Sequence, residues 1–152
     1  MKKEILTFYI GGYLIGIDIL KTKEMVRNAS YDKVASSPPY ILGLLNLRGQ
    51  IITLFDLKKI MLVEEKKADE KRRCDCIVLK RTNEIDELIG FEIDEPGEVI
   101  EVEESKISPS PANIDIKIRS FVEGIIKNKD KTIILISVKD IFMNDDLKLG
   151  GM

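Results

Sequence analysis

The second half of this chain repeats the first, so whatever unit the first half builds, the second builds as well. Tyr40 to Met61 reads YILGLLNLRGQIITLFDLKKIM, and Phe121 to Phe142 reads FVEGIIKNKDKTIILISVKDIF. The two align without a gap at an offset of 81 (Gly124 minus Gly43). Upstream, Leu14 to Val26 (LIGIDILKTKEMV) aligns without a gap with Leu88 to Ile100 (LIGFEIDEPGEVI) at an offset of 74 (88 minus 14). Two copies make a duplication and not a solenoid, which stacks at least three repeats. Where the copies differ is where function has been added. The clearest difference is Asn46-Leu47-Arg48-Gly49 against Lys127-Asn128-Lys129-Asp130.

Each copy reads as short strands. Glu4 to Ile10 and Tyr13 to Ile19 are rich in β-branched and aromatic residues and flank Gly11-Gly12, a two-residue hairpin signal. Met25-Val26 begins a further short strand, and Ser37-Pro38-Pro39 blocks continuation. Gly43 to Leu47 and Gln50 to Phe55 are strands around a tight turn at Arg48-Gly49. Asp56 is placed to cap a short helix over Leu57 to Leu62. The second copy follows the same plan. Its strands are Cys74 to Lys80, Glu87 to Ile93, Glu98 to Val102, Ser120 to Lys127 and Thr132 to Ser137, and Val138 to Phe142 is its closing helix.

Five short strands in roughly 65 residues suit a small barrel, which closes on itself and leaves no exposed edge. A unit of that size buries only about 60% of its unfolded surface, so two barrels packed on a shared apolar interface are expected. The sequence limits are 1–63 for the first half, 64–73 (EEKKADEKRR) for a charged linker, 74–143 for the second half and 144–152 for a frayed tail, with strands free to cross between the halves.

Composition excludes several functions. The net charge is −2, there is no Trp and aromatics are 6%, which argues against a nucleic-acid-binding barrel with stacking aromatics in a basic groove. With no His, the usual general base near neutral pH is missing, and no nucleophile or phosphate-loop motif is present, so no enzyme is expected. Cys74 and Cys76 point to one face of a strand and read as buried small apolar residues in a reducing compartment. No third ligand accompanies Asp94-Glu95 or Asp145-Asp146, so neither metal nor cofactor is expected. No stretch approaches the roughly 18 apolar residues of a membrane span, and the N-terminus reads as a strand rather than a signal peptide.

The segment PPYILGLLNLRGQIITLFDL, from Pro38 to Leu57, closely resembles the signature of the CheW-like family of bacterial chemotaxis coupling proteins. Ile17-Asp18-Ile19, Glu24-Met25-Val26, Gly90-Phe91-Glu92-Ile93-Asp94 and Phe121-Val122-Glu123-Gly124-Ile125 extend the resemblance over Glu4 to Phe142. It implies a mainly β fold of two SH3-like five-stranded barrels. It implies a non-enzymatic adaptor that bridges the cytoplasmic helical tip of chemoreceptors to the regulatory domain of the histidine kinase CheA. Such an adaptor is cytoplasmic, is recruited to membrane-associated receptor arrays without inserting in the membrane, and is a monomer when isolated. The length leaves no room for kinase or receiver domains, so the resemblance is to a stand-alone adaptor rather than to CheA or the CheV type. An adaptor of another chemosensory pathway, such as surface motility, fits the same resemblance. Two features depart from it. Pro96-Gly97 interrupts a strand, which suggests a bulge or an edge, and Ser137 stands where relatives often carry Asp, although serine also caps well.

The candidate protein-binding residues are Glu24, Met25, Val26, Gly43, Asn46, Arg48 and Gly49. Glu24 aligns with Glu98 and Arg48 with Lys129, which suggests that Glu24 and Arg48 meet across a barrel as an ion pair. The planar fork of arginine can hold a carboxylate through two hydrogen bonds, which lysine cannot. Buried, the loss of one partner costs about 3–5 kcal/mol; exposed, about 0–1 kcal/mol. In the resembling family the matching Glu and Arg are linked to coupling, so structural and binding roles both stand. Gly43, Gly49 and Gly124 read as positions of special backbone geometry, and Met25, Val26, Leu44 and Ile51 as core by default. A helical receptor tip calls for a groove that accepts an amphipathic helix. In the family that groove lies between the barrels, and here it draws on Glu24 to Val26 and Gly43 to Arg48.

Overall fold

The computed structural model describes residues 1–61, 72–83, 85–109 and 120–142. These contain ten strands: β1 (Lys2–Ile10), β2 (Tyr13–Asp18), β3 (Thr22–Ser30), β4 (Ile41–Leu47), β5 (Gln50–Phe55), β6 (Arg73–Leu79), β7 (Ile89–Ile93), β8 (Glu95–Glu103), β9 (Val122–Asn128) and β10 (Lys131–Ile136). Two short helices, α1 (Leu57–Met61) and α2 (Val138–Phe142), follow β5 and β10. The expected linker, up to residue 71, and the expected tail lie outside the described residues. Gly11 and Gly12 both have positive φ, 59° and 83°, the backbone a type I′ hairpin turn requires. They join β1 to β2 with Ile10 opposite Tyr13. The two helices start alike. The Asp56 side chain accepts a hydrogen bond from Lys59 N–H at 3.2 Å, and Ser137 Oγ accepts one from Asp140 N–H at 3.2 Å. Serine thus caps as aspartate does.

The strands form two five-stranded sheets, β8-β1-β2-β10-β9 and β3-β6-β7-β5-β4. Exchanging each strand for its counterpart in the other copy converts one order into the other, and the registers agree. Ile15 pairs with Ile134 as Ile89 does with Thr53, and Ile5 pairs with Ile100 as Cys76 does with Val26. Each sheet therefore combines the first hairpin of one copy with the last three strands of the other. One compact unit holds Met1–Lys21 and the described residues from Glu95 onward, and the other spans Thr22–Asp94. The limits 1–63 and 74–143 thus mark sequence copies and not compact units. The chain leaves the first sheet at Ile19–Lys21, a single 3-10 turn whose Leu20 N–H is held by Asp18 Oδ1 at 3.0 Å, and it returns between β7 and β8.

Each sheet closes through backbone. In the Thr22–Asp94 unit, Asp32, just beyond β3, exchanges N–H···O bonds of 2.9 and 2.7 Å with Leu44 of β4. In the other unit Ser108, beyond β8, exchanges bonds of 2.9 and 2.8 Å with Ile125 of β9. These bridges join the two outermost strands of each sheet and make it a barrel. They explain the glycine shared by both copies. A Cβ on Gly43 would collide with the Asp32 carbonyl oxygen and lie 2.8 Å from the Tyr31 ring; one on Gly124 would lie 2.6 Å from Ile107 Cγ2 and 2.8 Å from Ser108 O. Pro96-Gly97 belongs to β8, an outer strand with a register break opposite Leu6 and Phe8, so it sits at an edge and a bulge together.

Each barrel has an apolar cluster of its own. Leu45, Ile52, Leu54, Cys76 and Val78 pack with Ala29 and Tyr31 in one barrel, and Ile5, Ile126, Ile133 and Leu135 pack in the other. We expect Gly43→Ala to cost about 2–3 kcal/mol in urea unfolding, because the closing backbone cannot withdraw from the new methyl. Gly49→Ala, with nothing within 4 Å of its Cβ but φ of +85°, should cost only about 1 kcal/mol.

Candidate functional site

The β4–β5 turn is the point at which the two copies diverge most, and its backbone is unusual. Arg48 and Gly49 have φ of 50° and 85°, both left-handed, whereas in the β9–β10 turn only Lys129 does, at 57°. A non-glycine residue in that region costs about 1–2 kcal/mol. The conformation is held by Asn46, whose Oδ1 accepts the Gly49 N–H at 3.0 Å. Asn46 in turn faces Ile51 across the hairpin. The turn thus fixes its own shape and leaves the Arg48 side chain to reach elsewhere.

That side chain reaches β3. Arg48 Nη2 donates to Glu24 Oε1, and beside it Lys23 Nζ donates to Gln50 Oε1 at 3.3 Å. β3 and β4 are the outermost strands of their sheet, so both contacts cross the seam that the Asp32–Leu44 bridge closes. The sequence comparison expects Glu24 and Arg48 to meet, and they do so through one N–H rather than through the full fork. The Arg48 side chain is 68% exposed and that of Glu24 28%. A pair so open to water contributes about 0–1 kcal/mol, which sets aside the larger cost of a buried pair. In the other copy, Glu98 and Lys129 form no ion pair with each other among the described residues.

The remaining candidates separate by exposure. Asn46, Arg48 and Gly49 are exposed, Met25 and Val26 are half-buried, and Gly43 is buried under the closing strand. Val26 packs against the barrel interior. Ile51, expected in the core, is 54% exposed, because Ile52 and Leu54 take the inward positions of β5. An exposed isoleucine, an asparagine and an arginine therefore share one hairpin. Sequence reasoning missed the brace on the far side of β3. The Asp75 carboxylate accepts from Arg27 Nε at 3.1 Å and Asn28 N–H at 2.8 Å, where a bulge puts Asn28 at φ 52°. An asparagine within a strand was the available signal.

Cys74 and Cys76 are free and buried in the barrel interior, where Cys76 fills the place that Ile5 fills in the other unit. A hydrogen bond with Cys76, together with burial, pushes the Cys74 thiol well above its usual range, so it stays protonated and unreactive. Asp94, adjacent to Glu95, accepts from Lys58 at 2.7 Å; Asp145 and Asp146 lie outside the described residues. Among the described residues no group of three or more His, Cys, Asp or Glu could hold a metal ion. No helix among them is long and apolar enough to cross a membrane.

Comparison with known proteins gives a consistent result. Residues 4–145 match the model of the CheW-like domain. A chemotaxis protein CheW from Helicobacter pylori is 31% identical over 143 residues, covering 93% of this chain and 82% of the relative. One from Bacillus subtilis is 24% identical, covering 91% and 86%. The crystal structure of the scaffolding protein TtCheW from Thermoanaerobacter tengcongensis superposes with a TM-score of 0.79 at 32% identity, covering 100% of this chain and 97% of that one.

We expect Arg48→Ala and Glu24→Ala each to shift unfolding free energy by less than about 1 kcal/mol; a loss of 3 kcal/mol or more would mean that the pair is buried in solution. An aromatic disulfide reagent should leave both thiols unmodified at neutral pH until denaturant is added.

Proposed function

Because the chain belongs to the CheW-like domain family, we propose that it works as a non-enzymatic adaptor of bacterial chemotaxis that couples chemoreceptors to the histidine kinase CheA. Its partners are the CheA regulatory domain and the cytoplasmic helical tip of the receptors. It acts in the cytoplasm as a monomer that is recruited to receptor arrays. The observation that supports this reading is the Asn46–Gly49 turn. There the chain sustains an exposed arginine–glutamate pair and an exposed isoleucine, and neither is required to close the barrel.

The mechanism follows from exposure and charge. Arg48 engages Glu24 through one N–H, and no other partner takes its remaining donors among the described residues. Glu24 aims the guanidinium without consuming it. An amphipathic receptor helix offers apolar anchors at helical spacing with polar groups beside them. On this reading Ile51, Met25 and Leu44 supply apolar contact, Arg48 meets a carboxylate or a helix carbonyl end, and Gly49 keeps the approach clear of a side chain. Gly43 serves the site indirectly by letting β4 close against Asp32.

The test is a binding titration with the CheA regulatory domain and a receptor signalling-tip fragment from the same organism. The wild type should bind both. Arg48→Ala should weaken receptor binding by about tenfold or more at an unchanged melting temperature, the signature of a contact residue. Unchanged affinity with an unchanged melt would remove Arg48 from the site, and a folded wild type that binds neither partner would remove the adaptor reading.

A further inference from the structure

We propose that the barrel containing the N-terminus carries a second site, a cleft for a small carboxylic acid borne on an aromatic or branched apolar body. The cleft, of about 450 Å³, opens between the β1–β2 hairpin and the start of β10. Its walls are Tyr9, Tyr13 and Leu14 on one side and Lys131, Thr132 and Ile134 on the other. It exists because β2 and β10 run parallel but pair only at Ile15–Ile134 and Gly16–Leu135, so their leading ends lie apart. The volume falls within the range of small-molecule sites, which are mostly apolar with a few convergent polar groups.

The polar groups select the ligand. Lys131 forms no ion pair among the described residues, and its ammonium makes one long contact, 3.4 Å, to the Tyr9 hydroxyl. Having accepted that contact, the Tyr9 hydroxyl can still donate its own proton. One cation beside one hydroxyl suits the single charge of a carboxylate better than a doubly charged phosphate, for which the lining offers no second cation. The aromatic faces and Leu14 and Ile134 suit the apolar body.

The duplication supplies an internal control. The other unit builds the same sheet in the same register without these residues. At the offset of 74, Tyr13 becomes Glu87; at 81, Lys131 becomes Gln50, Thr132 becomes Ile51 and Ile134 becomes Thr53. Thr7 pairs with Gly16 as Val78 does with Gly90, so Tyr9, two residues on, corresponds to Lys80. The barrel therefore does not need two tyrosines and a lysine at this place. The inference is independent of the adaptor reading, because no residue of the Asn46–Gly49 turn takes part.

The experiment is an amide-shift titration of isotope-labelled full-length protein with phenylacetate, with phenylacetamide as the neutral control. We expect saturable shifts at Tyr9 to Leu14 and Lys131 to Ile134 in roughly the millimolar range, given the size of the probe. Lys131→Gln, which installs the residue of the other copy, should weaken phenylacetate by about fivefold while leaving phenylacetamide unchanged. Tyr13→Ala, at a side chain already 45% exposed, should weaken both probes with the melt preserved. Shifts that do not saturate, that scatter over surface lysines, or that survive Lys131→Gln unchanged would overturn the proposal. So would binding of a blocked Phe-Glu dipeptide but not of phenylacetate, which would give the cleft to a protein partner instead.

Discussion

Closure of a five-stranded sheet by two backbone hydrogen bonds is the constraint on which the rest of the Thr22–Asp94 barrel depends. The Asp32–Leu44 bridge draws the end of β3 against β4 so tightly that only glycine fits at residue 43. With that seam shut, Glu24 and Lys23 of β3 stand beside Arg48 and Gln50 of the β4–β5 hairpin. Without it the two outermost strands would be separated by the width of the sheet, and no ion pair of this kind could form. The polar contacts follow the closure and do not cause it, since exposed pairs of this sort are worth little.

The same closure occurs at Ser108–Ile125, with Gly124 in the place of Gly43. What the barrel needs can therefore be told from what one copy adds. Closure, helix caps, inward apolar positions and a left-handed turn residue recur, whereas an arginine paired with a glutamate beside a glycine is assembled once. The left-handed backbone itself recurs at Lys129, so what one copy adds is the arginine, its Asn46 brace and its contact with Glu24.

Much of this architecture is local and could be read from residues. The Gly11-Gly12 turn, the strands about Arg48-Gly49, and the caps at Asp56 and Ser137 each depend on a few neighbours in sequence. The exchange of strands could not be read. β3 makes the same contacts with β6 of the other copy as it would make with β1 of its own, so a repeat alignment is blind to the choice. The Glu24–Arg48 contact was legible because two offsets bring an acid and a base to related positions. Its exposure was not, because hydrogen-bond reach says nothing of solvent. Ile51 failed for a related reason. In the run Ile51-Ile52 alternation turns one side chain inward, and only the register with β4 decides which.

Arg48 is either presented to a partner or merely holds Glu24. Reversing the pair, with Glu24→Arg and Arg48→Glu together, measures this directly through affinity for the receptor signalling tip beside a thermal melt. The pair can re-form in the reversed protein, so folding should be kept while a contact specific to arginine at the turn is lost. We expect a wild-type melt with receptor binding weakened by about tenfold or more. Restored binding in the reversed protein would contradict the account, since it would mean that the pair supports the site and Arg48 itself touches no partner.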